Sequence, residues 1–276
     1  MKMWMLLPLV ALVACSNKNS GPSPAVHGEK IINGQTAAFD GDLSRSTVAL
    51  VMVDADRTKS FCTGTLVSKD LVVTAAHCVD PLLSGYQVQV SFGSETYSSK
   101  NEGELREIER AYTYDMVYPP HGMTDAMRSI NELKDVALIK LVTQAPKWAV
   151  PVPILGSESS LAADQELLIA GFGRTQEDQP AMSKFLQWTN VNIVKVEDRR
   201  IEVDQTKGTG ACWGDSGGPA YLRTDKGLVV VGATSGAAYG DQDCHHNVVY
   251  ASLPGFRDFL EKVAKVLGGE ALVFTE

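Results

Sequence analysis

The sequence predicts an all-β body closed by a single C-terminal helix, on two observations. Short runs rich in Val, Ile, Leu and Thr recur with turn residues between them, at Val48–Val53, Leu66–Thr74, Val88–Phe92, Val136–Val142, Leu167–Ala170, Val191–Val196, Leu228–Thr234 and Val248–Leu253. After Pro254 the apolar period changes. Phe256, Phe259, Leu260, Val263, Val266 and Leu267 fall on one helical face with charges opposite, which predicts a packing helix over 254–267.

The chain opens differently. Lys2, an apolar stretch from Met3 to Val13 and then Leu12-Val13-Ala14-Cys15 read as a signal peptide over 1–15 that ends in a lipoprotein box. The stretch is too short to span a bilayer, which takes about 20 apolar residues. Cys15 is then the expected lipidated first residue of an exported bacterial protein, with Ser16 rather than aspartate after it favouring the outer membrane. An ordinary cleaved signal with an incidental cysteine is the alternative. Residues 16–30 are rich in Ser, Asn, Gly and Pro and cannot support a core, so they read as a tether or propeptide.

The formal net charge is −8 and no basic cluster is present, which argues against a nucleic-acid partner. Any membrane contact is expected only through the N-terminal lipid. If Cys15 carries lipid, four cysteines remain, and sequence alone allows three pairings among Cys62, Cys78, Cys212 and Cys244. Bridges fit an oxidising location, and each contributes about 2–4 kcal/mol. No metal-ligand spacing stands out, and no cofactor is expected.

The chemistry concentrates in three segments. In Gly214-Asp215-Ser216-Gly217-Gly218-Pro219, glycines around one serine leave room for a substrate carbonyl to lie against bare backbone N–H groups. Gly-Asp-Ser-Gly also makes ordinary turns, so the motif needs company. Thr74-Ala75-Ala76-His77-Cys78 follows the apolar run Leu71-Val72-Val73, which places His77 just past a strand end. Asp135 opens Asp135-Val136-Ala137-Leu138-Ile139-Lys140-Leu141, a carboxylate at the start of an otherwise buried strand. Serine is a poor nucleophile at neutral pH and needs a base to take its proton. His77 alone among the histidines has a matching context; His27, His121, His245 and His246 read as solvent-exposed.

The order His77, Asp135, Ser216 in these contexts resembles the chymotrypsin (trypsin-like) family of serine endopeptidases, whose triad runs in that chain order. The resemblance runs from Ile31 to about Leu267 and includes Ile31-Ile32-Asn33-Gly34, Phe61-Cys62-Thr63-Gly64-Thr65-Leu66 and Gly171-Phe172-Gly173. It implies two six-stranded antiparallel β-barrels packed face to face, about 31–147 and 148–253 within a domain of 31–270, with Pro146–Leu155 crossing between them. It pairs Cys62 with Cys78 and Cys212 with Cys244. It makes His77, Asp135 and Ser216 catalytic and has Ser235 support the aspartate. It gives the backbone N–H groups of Gly214 and Ser216 the oxyanion. It makes Lys30-Ile31 an activation cleavage point, after which the Ile31 ammonium pairs with Asp215.

The primary specificity pocket maps to Gly210 at its base and Ala237 and Val248 on its walls. With no carboxylate at Gly210 and a bulky wall at Val248, the expected preference is elastase-like, for small aliphatic residues, with large apolar ones next. Ser235-Gly236-Ala237 departs from the family's Ser-Trp-Gly, and Thr63 replaces the commoner glycine with no role that the sequence reveals. Glu95, Glu102 and Glu104 lie where some relatives bind calcium, but their spacing reads as a solvated acidic loop. A monomer acting on protein or peptide substrates is expected. The rival is an inactive member of this fold used as a binding or adhesion module.

Overall fold

A computed structural model describes residues 31–38, 41–54, 57–96, 104–118, 134–197, 199–238 and 243–275. Cys15, His27, Lys30, Glu102 and His121 lie outside the described residues. Two antiparallel barrels make up the body. The first closes in the order β2-β3-β4-β7-β6-β5, from β2 (Thr47–Asp54), β3 (Arg57–Leu66), β4 (Leu71–Thr74), β5 (Val88–Phe92), β6 (Leu105–Thr113) and β7 (Ala137–Leu141). The second contains β8 (Glu166–Gly171), β9 (Gln187–Glu197), β10 (Arg200–Asp204), β11 (Pro219–Thr224), β12 (Gly227–Ala237) and β13 (Val248–Ser252), and it closes because β8 pairs with β9 as well as with β11.

Three boundaries differ from expectation. The run 66–74 is not one strand: β3 ends at Leu66, β4 begins at Leu71, and both Val67 and Ser68 donate backbone N–H to the Leu71 carbonyl across a turn. The N-terminal segment belongs to the second barrel, not the first. Its strand β1 (Gln35–Thr36) pairs with β9, and Ile32 bridges to Gly210, because the free edge available to it lies there. The helix spans Arg257–Val266, preceded by a 3-10 turn at Leu253–Phe256 that takes up Pro254. Its buried residues Phe259, Leu260 and Val263 pack into the larger of the two clusters that reach barrel one, and Tyr114 lies 5.5 Å from the Phe259 ring. The helix therefore follows barrel two in sequence but returns to barrel one.

Beyond the helix the chain turns back along the crossing segment. Thr275 N–H donates to the Ile154 carbonyl and Glu270 N–H to Asp70 Oδ1. The disulfides are Cys62–Cys78 and Cys212–Cys244, with Cα separations of 6.0 and 5.1 Å. Two bridges in one body fit a protein of an oxidising compartment. Among the described residues, no helix is long and apolar enough to cross a membrane.

Tyr221 joins the barrels. It is fully buried on β11, and its hydroxyl lies 3.0 Å from both Ser46 Oγ and Thr47 Oγ1 at the start of β2. Burial pushes the phenol up to about 12 despite these hydrogen bonds. Tyr221→Phe should destabilise the protein by about 1–2 kcal/mol in urea unfolding, since it strips two buried hydroxyls of a partner. An unchanged midpoint and slope would contradict this role.

Candidate active site

His77 sits in a 3-10 turn (Ala76–Val79) directly after β4, a strand buried along its whole length. Asp135 lies two residues before β7, which pairs with β4 so that Thr74 faces Ala137. This pairing brings the two residues together. His77 Nδ1 is 2.9 Å from Asp135 Oδ2, the His77 backbone N–H donates to Asp135 Oδ1 at 3.0 Å, and Ser235 Oγ on β12 donates to Oδ2 at 2.6 Å. Three donors on one carboxylate orient it and engage the His77 ring through Nδ1 rather than Nε2.

The charges follow from these contacts. Burial pushes the Asp135 carboxyl upward, but hydrogen bonds and charge from His77, with the Ser235 bond, more than offset it and leave the group below the usual carboxylate range. Burial likewise pulls His77 downward, and the Asp135 hydrogen bond and charge outweigh it, so the imidazole lies above its ordinary value. The pair favours an ionised aspartate beside an imidazole that holds a proton well. The Cys62–Cys78 bridge lies against this histidine, and its sulfurs are used in the bond rather than free to ligate.

Ser216 occupies the turn between Cys212 and β11. Its carbonyl accepts the Thr63 N–H of β3 at 2.8 Å and lies 3.4 Å from Cys78 Sγ, which sets the serine turn against the His77 turn. Gly214 has φ +94° and Gly217 φ +76°, so the loop uses backbone states open chiefly to glycine. At Gly214 a Cβ would also press on Met182 Sδ and the Gly173 Cα.

Asp215 points inward, fully buried. Its Oδ1 accepts the Gly173 N–H at 2.8 Å and its Oδ2 the Cys212 N–H at 2.9 Å. A Cβ at Gly171 or Gly173 would overlap the carboxylate, which gives Gly171-Phe172-Gly173 a physical reason. Burial raises the carboxyl to about 7 against those two hydrogen bonds, and among the described residues no cationic side chain pairs with it. Ile31 is fully buried too, and its φ of +26° is unusual for a β-branched residue.

Beside Ser216 lies a cavity lined by Ala211, Trp213, Ala237, Asp243 and Val248 among others. Ala237 and Val248, two of the residues the sequence singled out, are on its lining. Gly210 does not line the cavity. The side chain of Gln205, fully buried, fills the space that a side chain at 210 would enter, and its amide bonds the Ala211 N–H and the carbonyls of Ala211 and Cys244. At Gly236 an added Cβ would meet nothing within 4 Å, so that side of the cleft is open.

Three residues escaped the sequence reading: Trp213 and Asp243, which line the cavity, and Gln205, which packs against Gly210. Trp213 is 42% exposed, with the Arg174 guanidinium 5.0 Å from its ring centroid, and its place beside Cys212 in the serine motif could have drawn notice. Asp243 accepts the His245 N–H and lies 2.6 Å from His246 Nδ1, and these bonds hold its carboxyl low. Gln205 carries no local signal. His245 and His246 are exposed, as expected. Glu104 accepts from the Trp148 indole N–H, while Glu95 lies in an isolated bridge with Phe185.

The trypsin family model matches residues 32–260. The chain is 26% identical over 280 residues to a trypsin of Sarcophaga bullata, covering 96% of this chain and 100% of that protein. It is 30% identical over 211 residues to serine protease SP24D of Anopheles gambiae, covering 72% and 70% respectively. Brachyurin of Leptuca pugilator is 27% identical over 201 residues, 69% of this chain and 84% of that protein. A match that takes in both barrels and all three segments of the site makes this chain a member of the trypsin family, a serine endopeptidase acting on protein or peptide substrates.

Proposed function

We propose that the protein is made as a precursor, is cut at Lys30-Ile31, and then hydrolyses peptide bonds after small aliphatic residues through an acyl-enzyme on Ser216. The observation that carries the catalytic roles is the Asp135 carboxylate, held by three donors, two of them from His77. Asp135 fixes the tautomer in which Nδ1 carries the proton, so Nε2 takes the Ser216 proton as Oγ attacks the carbonyl. The tetrahedral oxyanion is held by the N–H groups of Gly214 and Ser216, a type of interaction worth about 2.7–4 kcal/mol per donor. The C–N bond then breaks, His77 returns the proton to the leaving amine, and water repeats the sequence on the ester. An inactive binding module has no observation in its favour.

The preference rests on the pocket. Val248 and Ala237 supply apolar walls beside Ser216, so a short aliphatic side chain fills the space and a long one does not. Asp243 on the lining favours a second reading, in which a cationic side chain is drawn to that carboxylate.

Activation rests on Asp215 and Ile31. A buried carboxylate with no cation is costly, and a new ammonium at Ile31 would neutralise it and relax the Ile31 backbone. Ile32 already pairs with Gly210, in the segment that leads to Cys212 and its bond to Asp215. The precursor is anchored by lipid on Cys15 in the bacterial envelope, and cutting Lys30-Ile31 releases a soluble monomer. The Leu12-Val13-Ala14-Cys15 pattern is the support for the anchor.

Ser216→Ala and His77→Ala should each abolish turnover nearly as fully as the double variant, with fluorophosphonate labelling lost, and Asp135→Asn should lower kcat about 10⁴-fold. Independent, multiplicative losses for Ser216 and His77 contradict their roles as nucleophile and base.

Against a set of peptide p-nitroanilides, Ala and Val before the cut should give higher kcat/KM than Arg and Lys. A preference for Arg or Lys that disappears in Asp243→Asn would establish the second reading instead.

The pH dependence separates the two forms. In the uncut chain the Asp215 pKa is raised to about 7 from about 3.9 unfolded, so its contribution to stability is full below about 4 and is lost as pH rises toward 7. In the cut chain pairing raises the Ile31 amine above the ordinary α-amino value of about 7.7–8.0, so the stabilisation persists at neutral pH and is lost as pH rises through the raised value. Urea unfolding of the Ser216→Ala protein, cut and uncut, each referenced to Asp215→Asn, should show these two different windows. Identical profiles before and after cutting would rule out the Ile31–Asp215 pair.

A further inference from the structure

Thr63, the residue that departs from the family's glycine, makes four hydrogen bonds from a fully buried position on β3. Its N–H donates to the Ser216 carbonyl at 2.8 Å, and its own carbonyl accepts the Thr74 hydroxyl at 2.8 Å. Its hydroxyl donates to the Gly214 carbonyl at 3.0 Å and accepts the Phe172 N–H at 3.2 Å. A glycine would keep the two backbone bonds and lose both of those through the hydroxyl.

Those lost bonds matter because the serine turn is held peptide by peptide. The Trp213 carbonyl, in the same peptide as the Gly214 N–H, accepts from Arg174 N–H at 2.8 Å. The Asp215 carbonyl, in the same peptide as the Ser216 N–H, accepts from Gly218 N–H at 2.8 Å. Between them lies the Gly214–Asp215 peptide, whose carbonyl is held by the Thr63 hydroxyl and whose N–H donates to Cys212 O at 3.0 Å. Gly214 itself, at φ +94° with no side chain, offers the loop its greatest freedom to turn. Thr63 thus fixes the peptide that lies between the Gly214 and Ser216 N–H groups, and braces it on barrel one and on Phe172.

We propose that the Thr63 hydroxyl is a positioning group for the oxyanion hole, keeping the Gly214 and Ser216 N–H groups convergent. The inference rests on Ser216 as nucleophile and on those two donors. The hydroxyl does not touch the substrate, so its effect is on the transition state rather than on substrate binding.

The test uses the cut enzyme and its variants Thr63→Val, Thr63→Ala and Thr63→Ser. Thr63→Val keeps the shape but leaves a buried carbonyl and a buried N–H without partners, and should lower kcat about 10- to 100-fold with KM within about threefold. Affinity for a peptide boronic acid, which forms a tetrahedral adduct on the serine, should fall by the same factor as kcat. Thr63→Ser retains the hydroxyl and should restore both to within about threefold of the parent. If Thr63→Val does not fold, Thr63→Ala against Thr63→Ser carries the same comparison. A folded valine or alanine variant with parental kcat and boronate affinity, or one whose only change is a lower melting temperature or a higher KM, overturns the proposal. Failure of the parent to react with a fluorophosphonate would instead remove the nucleophile assignment on which the inference stands.

Discussion

The buried carboxylate of Asp215 is the constraint around which this molecule is arranged. A carboxylate taken out of water needs donors, and Gly173 and Cys212 supply backbone N–H groups for it. Supplying them requires bare glycines at 171 and 173, a disulfide that holds the Cys212 segment to Cys244, and a sharp turn on either side of the aspartate. That turn places Ser216 on the wall of the cavity. The group is left raised to about 7, a sign that two hydrogen bonds do not offset full burial. The same imbalance makes the aspartate responsive to a new positive charge.

The two barrels divide the chemistry between them, so the site depends on how they dock. Barrel one brings the His77–Asp135 pair through the pairing of β4 with β7. Barrel two brings Ser216 and, through Ser235, one of the three donors to Asp135. Several links cross the seam: Thr63 to Ser216 and Gly214, Tyr221 to Ser46 and Thr47, and the tail after the helix along Ile154. Each is buried or carries backbone bonds, which makes relative motion of the halves costly.

Much of this was legible because it is written in short contiguous segments. Strands β5 and β13 stood out as apolar runs, and the serine, histidine and aspartate motifs each carry their own local context. Strands β3, β6, β10 and β11 did not stand out. In β6, the charged pairs Arg106-Glu107 and Glu109-Arg110 interrupt any apolar run, and β3 mixes Lys, Ser and Thr into a strand that is held by its pairing with β2. The allegiance of residues 31–36 to the second barrel is a pairing with a strand more than 150 positions away, which no local pattern records. Gln205 differs in kind: it folds back on Gly210 and Ala211 only five and six residues on, but a polar side chain turned inward leaves no apolar pattern to read. Thr63 was visible as a departure, but its partners Gly214 and Phe172 come from distant segments, so its use shows only in three dimensions.

The most direct test of the part played by Asp215 is a crystal structure of the cut enzyme phosphonylated on Ser216, whose adduct oxygen stands where the oxyanion forms. That oxygen should lie within hydrogen-bond distance of both the Gly214 and Ser216 N–H groups, with Asp215 still buried and now joined by the Ile31 ammonium. An adduct oxygen turned to solvent, or a Gly214 N–H directed away from it while Asp215 stays buried, would contradict the claim that this carboxylate shapes the oxyanion site.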